Sequence, residues 1–366
     1  MRKVFLAIIV LFVAATLLYV SLGRRAGISE EVEVNWSTFR GDFNRSGLYR
    51  DSLKLPLSLI RKIEVNGTMT CPCGYEDKVY VVAGMEVICL KDMQVLWNRS
   101  LLSTSFCPPT IYEGLLFLGG EDGVIRAYNG SSGELLWSVP TRFRVRTSPA
   151  CWRGEAIFCT YEGSVFALNI SNGNQLWGFS TDYHITASPL VYKGLAIISS
   201  QDHRIYCLNA STGALCWSLD LGYRVEHTPC LLGDVLFVPC GRSLQAIDLH
   251  GRKLWEYRAT RGITCSPATN GERVIFCFEK KVACLNTSGK MLWSFEMDSR
   301  TTCAPIIVGD MVFICSGTGH LYCLSLEGEL LWEDEVGVHP VQSLAVFNGL
   351  LLVPSEDGLL ILGSGG

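Results

Sequence analysis

The sequence carries little charge and almost no excess of either sign. Only 18% of its 366 residues are Asp, Glu, Lys or Arg, and the formal net charge at pH 7 is -4. That balance excludes a nucleic-acid binder working through bulk positive charge. A chain that is 48% hydrophobic is neither a disordered tail nor a long coiled coil. The sixteen cysteines include no adjacent pair and no Cys-x-x-Cys, the close spacing used by many zinc and dithiol sites. The first cysteine is Cys71, so there is no lipoprotein box near the start. After the first 25 residues, apolar runs are short and cut by Gly or Pro, which leaves no second candidate membrane span.

What is present begins with one long apolar run. Val4 to Leu22 lies between Met1-Arg2-Lys3 and Gly23-Arg24-Arg25. At helical rise it reaches about 28 Å, close to one hydrocarbon core. Ser21-Leu22-Gly23 runs directly into two arginines and makes a poor cleavage site. Residues 1–25 are therefore expected to be a retained signal-anchor, a transmembrane helix, with secretion as the outcome if the segment is cleaved. Residues 26–55 are expected to be a leader and linker, and residues 56–366 the folded body outside the cytoplasm.

That body is repetitive. Tryptophans stand at 97, 137, 177, 217, 255, 293 and 332. A second register, 11 or 12 residues later, holds Pro109, Pro149, Pro189, Pro229, Pro267 and Pro305, with Pro72 before them and Ser343-Leu344 as a degenerate last copy. Within a unit such as 147–177, four short apolar runs are separated by Gly and Asn turns, which reads as four antiparallel strands. Four strands per repeat of about 40 residues make a propeller blade. Eight proline elements predict an all-β, eight-bladed propeller. Ile60 lies twelve residues before Pro72, as Trp137 lies twelve before Pro149. The run 59–63 is thus expected as an outer strand without its Trp, completing the last blade and closing the ring. The recurring Trp needs no role beyond packing between blades.

The Ser-Pro elements, the Glu121-Asp122-Gly123 and Glu356-Asp357-Gly358 turns, Ala167-Leu168-Asn169 and Gly213-Ala214-Leu215-Cys216-Trp217 resemble the pyrroloquinoline-quinone-type β-propeller repeat. The leader from Trp36 to Gly47 resembles the leader of that group, so Arg40-Gly41-Asp42 is expected to serve packing rather than cell adhesion. The resemblance implies one of two branches. Quinoprotein dehydrogenases use the quinone with calcium and, in the alcohol-oxidising group, hold it between a Trp and a disulfide of adjacent cysteines. The other branch, which includes the outer-membrane β-barrel assembly scaffold, works by protein contact without a cofactor. Here there is no adjacent cysteine pair, and Glu226 is the only acid within three residues before a blade proline. Calcium needs several oxygen ligands and the reaction a general base. The reading favours a non-enzymatic, membrane-anchored protein-binding scaffold without quinone or calcium. A quinone-dependent dehydrogenase is the first alternative, and a Cys/His metal or redox site the second. A small-molecule ligand stays open.

Four sets of residues carry narrower expectations. Ten of the cysteines recur at repeat positions, which suits small buried apolar side chains. Cys315 and Cys323 flank a turn and are candidates for facing each other as a disulfide. His227, Cys265 and Cys303 occupy one slot in three consecutive blades and are weak metal-ligand candidates. Five residues before the blade proline stand Arg144, His184, Arg224, Arg300 and His339, preceded in three blades by Phe143, Tyr183 and Tyr223. These loops emerge on one face of the disc and offer a cationic, aromatic surface for an anionic group or an acidic segment. Of eight Asn-x-Ser/Thr sequons, those at Asn129, Asn169, Asn209 and Asn286 share one blade turn, where Asn is favoured for backbone reasons.

Overall fold

The computed structural model describes residues 37–337, 339 and 343–365. The expected membrane-spanning segment at 1–25 lies outside the described residues. Among the described residues every regular element is a strand, and no helix is long and apolar enough to cross a membrane.

The strands form eight antiparallel sheets ordered from the axis outward. Blade 3 shows the unit: Ala150–Trp152 innermost, then Glu155–Cys159, Ser164–Asn169 and Gln175–Ser180 outermost. Blades 1 to 8 begin at 73, 110, 150, 190, 230, 268, 306 and 345. Alternation along each strand buries side chains against the neighbouring blades rather than against a central core. One buried cluster joins Val79 and Ile88 of blade 1, Leu351 and Ile361 of blade 8, and Phe313 and Cys315 of blade 7. The first and last blades are therefore packed together and the ring is closed.

Closure is made by Leu57–Glu64, which pairs antiparallel with Gly358–Ser364 as the outer strand of blade 8. Its register differs from expectation by one residue. Each outer strand carries a β-bulge just ahead of the Trp slot; in blade 2 the pairing jumps from Leu135 to Trp137. In blade 8 it jumps from Leu59 to Arg61. Ile60 is thus the bulge residue, and Arg61 holds the place of the tryptophan.

The tryptophans lock consecutive blades. Trp177 Nε1 donates to Ala210 O of the next blade at 2.7 Å, and Trp97, Trp137, Trp217, Trp255 and Trp293 each donate to the corresponding turn. Gly213 lies over the Trp177 ring with φ +71, and a Cβ there would come within 2.6 Å of the indole. The Gly of this turn is demanded both by its left-handed backbone and by the ring beneath it. Asn209 Oδ1 caps the same turn, accepting from Ser211 N and Thr212 N.

The leader runs inside the ring. Backbone carbonyls of Ser37, Phe43, Asn44, Ser46 and Gly47 accept from Ile111, Val191, Leu231, Thr269 and Ile307, innermost-strand residues of blades 2, 4, 5, 6 and 7. Leu48–Tyr49 adds a short parallel strand to blade 7. Only a segment on the axis can reach so many blades. Arg40 and Arg45 are fully buried. Arg45 donates to Ser148 O, Pro149 O and Pro189 O, and Arg40 to Pro267 O and Pro305 O. The proline elements thus supply carbonyl acceptors for an axial plug, the packing role expected for the Arg40-Gly41-Asp42 tripeptide.

Among the described residues no disulfide forms, and of the sixteen cysteines only Cys216 is exposed. Cys315 and Cys323 do not face each other. Cys315 is paired with Leu321 and Cys323 with Phe313, so the two are diagonal neighbours, two positions out of register, and both pack in the cluster between blades 7 and 8.

Candidate functional site

Strand direction puts two kinds of loop on one face: those entering each innermost strand, and the hairpins between the second and third strands. The sequence places cations and aromatics in the first kind. The second kind decides whether those cations are neutralised. Thirteen residues after the blade proline stand Asp122, Glu162 and Asp202 in blades 2 to 4, but Arg242 and Lys280 in blades 5 and 6. The face is consequently two different surfaces.

Over blades 2 to 4 the charges are spent internally. Arg146 makes a bidentate pair with Glu121, at 2.7 and 2.6 Å, and Arg144 lies 3.5 Å from Glu162. Both guanidinium groups lie over the Tyr161 ring, at 5.1 and 5.4 Å from its centroid, and Arg146 also lies over Phe106. Tyr161 stacks on His184 at 4.4 Å, His184 meets Tyr183 at 4.3 Å, and Arg224 lies over Tyr183 at 5.6 Å. Each cation–π contact contributes about 0.5–1 kcal/mol at such exposed positions. The result is one continuous stack across five loops.

Over blades 4 to 7 the surface opens into a groove. Arg224, Arg242 and Arg300 line a cavity of about 390 Å³ with Glu226, His227 and Thr302. Arg300 also lines the adjoining cavity with Arg261 and Glu279. Arg261 is 3.8 Å from Glu279, whereas Arg224, Arg242 and Arg300 have no ion-pair partner among the described residues. The repeat explains this. Arg144 has Glu162 in the hairpin slot of its blade; Arg224 has Arg242 in that slot, and Arg300 has Thr318.

The inner end of the groove is a cavity of about 180 Å³ on the axis, sharing Glu226, His227 and Thr302 with the groove. Hydroxyls of Thr186, Ser188, Thr228 and Ser266 line it, as do Cys265 and Arg146; Glu226 is its only acid, and Phe39 of the leader is part of its lining. Burial holds His227 below its ordinary pKa, with Glu226 pulling the other way, so the imidazole is neutral at neutral pH. The leader below carries two arginines and one carboxylate. Burial lowers the pKa of Arg45 to about 10 and raises that of Asp42. Arg40 is surrounded by the thiols of Cys230, Cys265, Cys71 and Cys303, and its Nε has no hydrogen-bond partner.

The sequence-derived residues thus separate. Arg144, His184, Tyr183 and Arg224 join the stack; Arg224 and Arg300 face the groove. Phe143 and Tyr223 are exposed, and Tyr223 packs over Gly241. His339 is apart from both, its Nδ1 donating to Gly317 O at 3.0 Å. His227 and Cys265 reach the axial cavity, while Cys303 is buried beside Arg40. Among the described residues no three His, Cys, Asp or Glu side chains are grouped to hold a metal ion. Arg242, Arg261 and Thr302 were not anticipated; the charge reversal in the hairpin slot is the signal that finds Arg242.

Comparison with known proteins agrees with this architecture. A family model described as outer membrane protein assembly factor BamB matches residues 60–184 and 162–361. Among solved structures, BamB from Moraxella catarrhalis is similar with a TM-score of 0.75 at 19% identity, covering 84% of this chain and 99% of that one. Quinohemoprotein alcohol dehydrogenase from Comamonas testosteroni gives 0.77 at 12% identity, covering 93% and 82%. The computationally designed Ika8 protein gives 0.76 at 13%, covering 85% and 100%. Among curated protein sequences none matches the chain.

Proposed function

Because the chain belongs to the family described as outer membrane protein assembly factor BamB, a PQQ-like propeller family, we propose that it is a non-enzymatic scaffold held outside the cytoplasm by its N-terminal segment. Its working surface is the arginine groove over blades 4 to 7, and its partner is a protein presenting an extended acidic segment. The observation that carries this reading is the set of three groove arginines without an acid partner among the described residues. Exposed unpaired cations in a concave, low-dielectric wall raise the local concentration of anions and steer their approach. Planar guanidinium groups suit bidentate contact with carboxylates.

The residues on the axis do not fit the quinone and calcium of the dehydrogenase branch. The axial cavity is about 180 Å³, below the roughly 300–1,000 Å³ typical of cofactor-sized pockets. It offers one carboxylate, Glu226, where calcium takes six to eight oxygen ligands. No step is therefore assigned through that group.

Fluorescence anisotropy with a labelled oligoglutamate peptide tests the scaffold reading. Binding is expected to weaken with added salt. The double variant Arg242→Glu/Arg300→Glu is expected to lose at least tenfold in affinity while retaining the wild-type thermal midpoint. Equal binding by variant and wild type would remove the groove from the account. Dye reduction after incubation with quinone and calcium, without peptide binding, would replace the scaffold reading by the dehydrogenase one.

A further inference from the structure

The groove ends in a blind hole, and that restricts what lies in it. The three adjoining cavities run from Arg261 and Glu279, through Arg242 and Arg300, to the axial cavity at Ser188, Thr228 and Ser266. An open channel would let a bound chain pass through the disc. Here the leader occupies the axis beneath, hydrogen-bonded to the innermost strands of five blades, and Phe39 closes the cavity from below. A polypeptide lying in the groove can enter the axial cavity only with a side chain or with its end.

The chemistry of the hole selects which. Its lining is rich in hydroxyl groups, with one guanidinium, one neutral imidazole and one acid. Arg146 is already neutralised by Glu121, and Glu226 stands where the cavity meets the groove, in one lining with Arg224 and Arg242, so the bias deeper in the hole comes from below. Arg45 feels the field of Asp42, whereas Arg40 donates to the carbonyls of Pro267 and Pro305 and has no ion-pair partner among the described residues. Arg40 is held against the entries to blades 6 and 7, whose Cys265, Ser266 and Ala304 line the cavity. A buried cation without a counter-charge is costly, and an anion placed above it in low dielectric lowers that cost. An ammonium would meet the opposite field.

On the basis of the scaffold reading above, we propose that the axial cavity seats a carboxylate, the C-terminal α-carboxylate of the acidic segment that lies in the groove. The protein then recognises chain ends, not internal acidic stretches. Hydroxyl donors of the innermost-strand entries, Thr302 among them, hold the carboxylate oxygens, and the groove arginines hold acidic side chains upstream.

Three labelled peptides on the full wild-type protein test this: an oligoglutamate ending in Ala with a free carboxylate, the same peptide ending in Ala amide, and one ending in Glu amide. The free acid is expected to bind at least tenfold more tightly than either amide. The variant Thr302→Phe, which fills the mouth of the cavity from an exposed position, is expected to bring the free acid down to the affinity that the two amides show on the same variant. If the Glu amide matches the free acid, a side-chain carboxylate occupies the cavity and the assignment to the chain end is overturned. Equal binding of all three peptides, lost in Arg242→Glu/Arg300→Glu, would overturn end capture and leave the groove standing. No binding by any of them would remove both.

Discussion

Replacing Arg45 by Met isolates the energetic role of the axial plug. The side chain is fully buried and makes five hydrogen bonds, to Thr38 Oγ1 and to the carbonyls of Phe39, Ser148, Pro149 and Pro189 at 2.5 to 3.2 Å. Bonds from a charged donor are each worth about 1.5–3 kcal/mol net, but they do not simply add. Burial lowers the pKa of this guanidinium from 12.5 to about 10. At about 1.4 kcal/mol per unit, the protonated form is disfavoured relative to the neutral form by about 3 kcal/mol more on the axis than in water, so desolvation outweighs part of what the bonds supply. What remains on substitution is a set of buried carbonyls without donors and an Asp42 without its cation. Leaving those acceptors unsatisfied and taking away the cation whose field favours the Asp42 carboxylate costs about 3–5 kcal/mol in all.

For a domain of this size that corresponds to a fall in thermal midpoint of about 4–7 °C. Differential scanning calorimetry reads it directly. Two comparisons sharpen the result. Arg40→Met removes donors to two carbonyls only, with no carboxylate left behind, and is expected to cost less than Arg45→Met. Arg144→Met breaks an exposed contact to Glu162 at 3.5 Å and is expected to cost under about 1 kcal/mol. An Arg45→Met protein melting within about a degree of the wild type would refute the claim that the leader braces the ring.

Three further outcomes are expected. In the native state a thiol reagent such as DTNB should titrate one cysteine, Cys216, and the other fifteen only after unfolding, since all but Cys216 are buried; several fast-reacting equivalents would contradict the packing role of these residues. Gly358→Ala places a Cβ at φ +141 against Ile63 O and should cost about 1–3 kcal/mol, with amide exchange rising first in Leu57–Glu64; unchanged exchange there would show that the closing strand is held otherwise. Burial keeps the folded-state pKa of His227 below its ordinary 6.5, so between that value and its lower folded value the unfolded chain takes up a proton that the native protein does not. Stability should fall as pH is lowered through that window. Denaturant midpoints at pH 7.5 and 5 should show a smaller loss for His227→Asn, and an identical loss would exclude the histidine as a contributor.

How much of this was legible in the sequence follows from which interactions have a period. Blade number and strand order were legible because Trp and Pro recur and because short apolar runs alternate with Gly and Asn turns. The closing strand was legible for the same reason, but its register was not. Counting back from Pro72 to Ile60 assumes that the linking loop equals the one after Trp137, and it differs by a residue, so Arg61 takes the Trp slot. Cys315 and Cys323 looked symmetric about their turn, yet the hairpin pairs Cys315 with Leu321. The leader could be read as packing, but its acceptors are backbone carbonyls, which have no residue type to announce them.

The candidate site was half legible, and the missing half shows where function resides in a repeat protein. One slot, five residues before the proline or its equivalent, puts Arg or His in five of the eight blades. The hairpin slot breaks that pattern: Glu162 neutralises Arg144 while Arg242 leaves Arg224 unmatched. Neither slot alone predicts the groove, because the effective charge of a loop is the sum over both. The plug adds the second asymmetry. Without it a propeller has one open mouth on each face of a single channel. With Arg40, Arg45 and Phe39 on the axis one mouth becomes a floor, and binding has a direction. Strand packing builds the eight blades, and departures from their repeat, in two hairpin residues and one leader, give the disc a face and an end point.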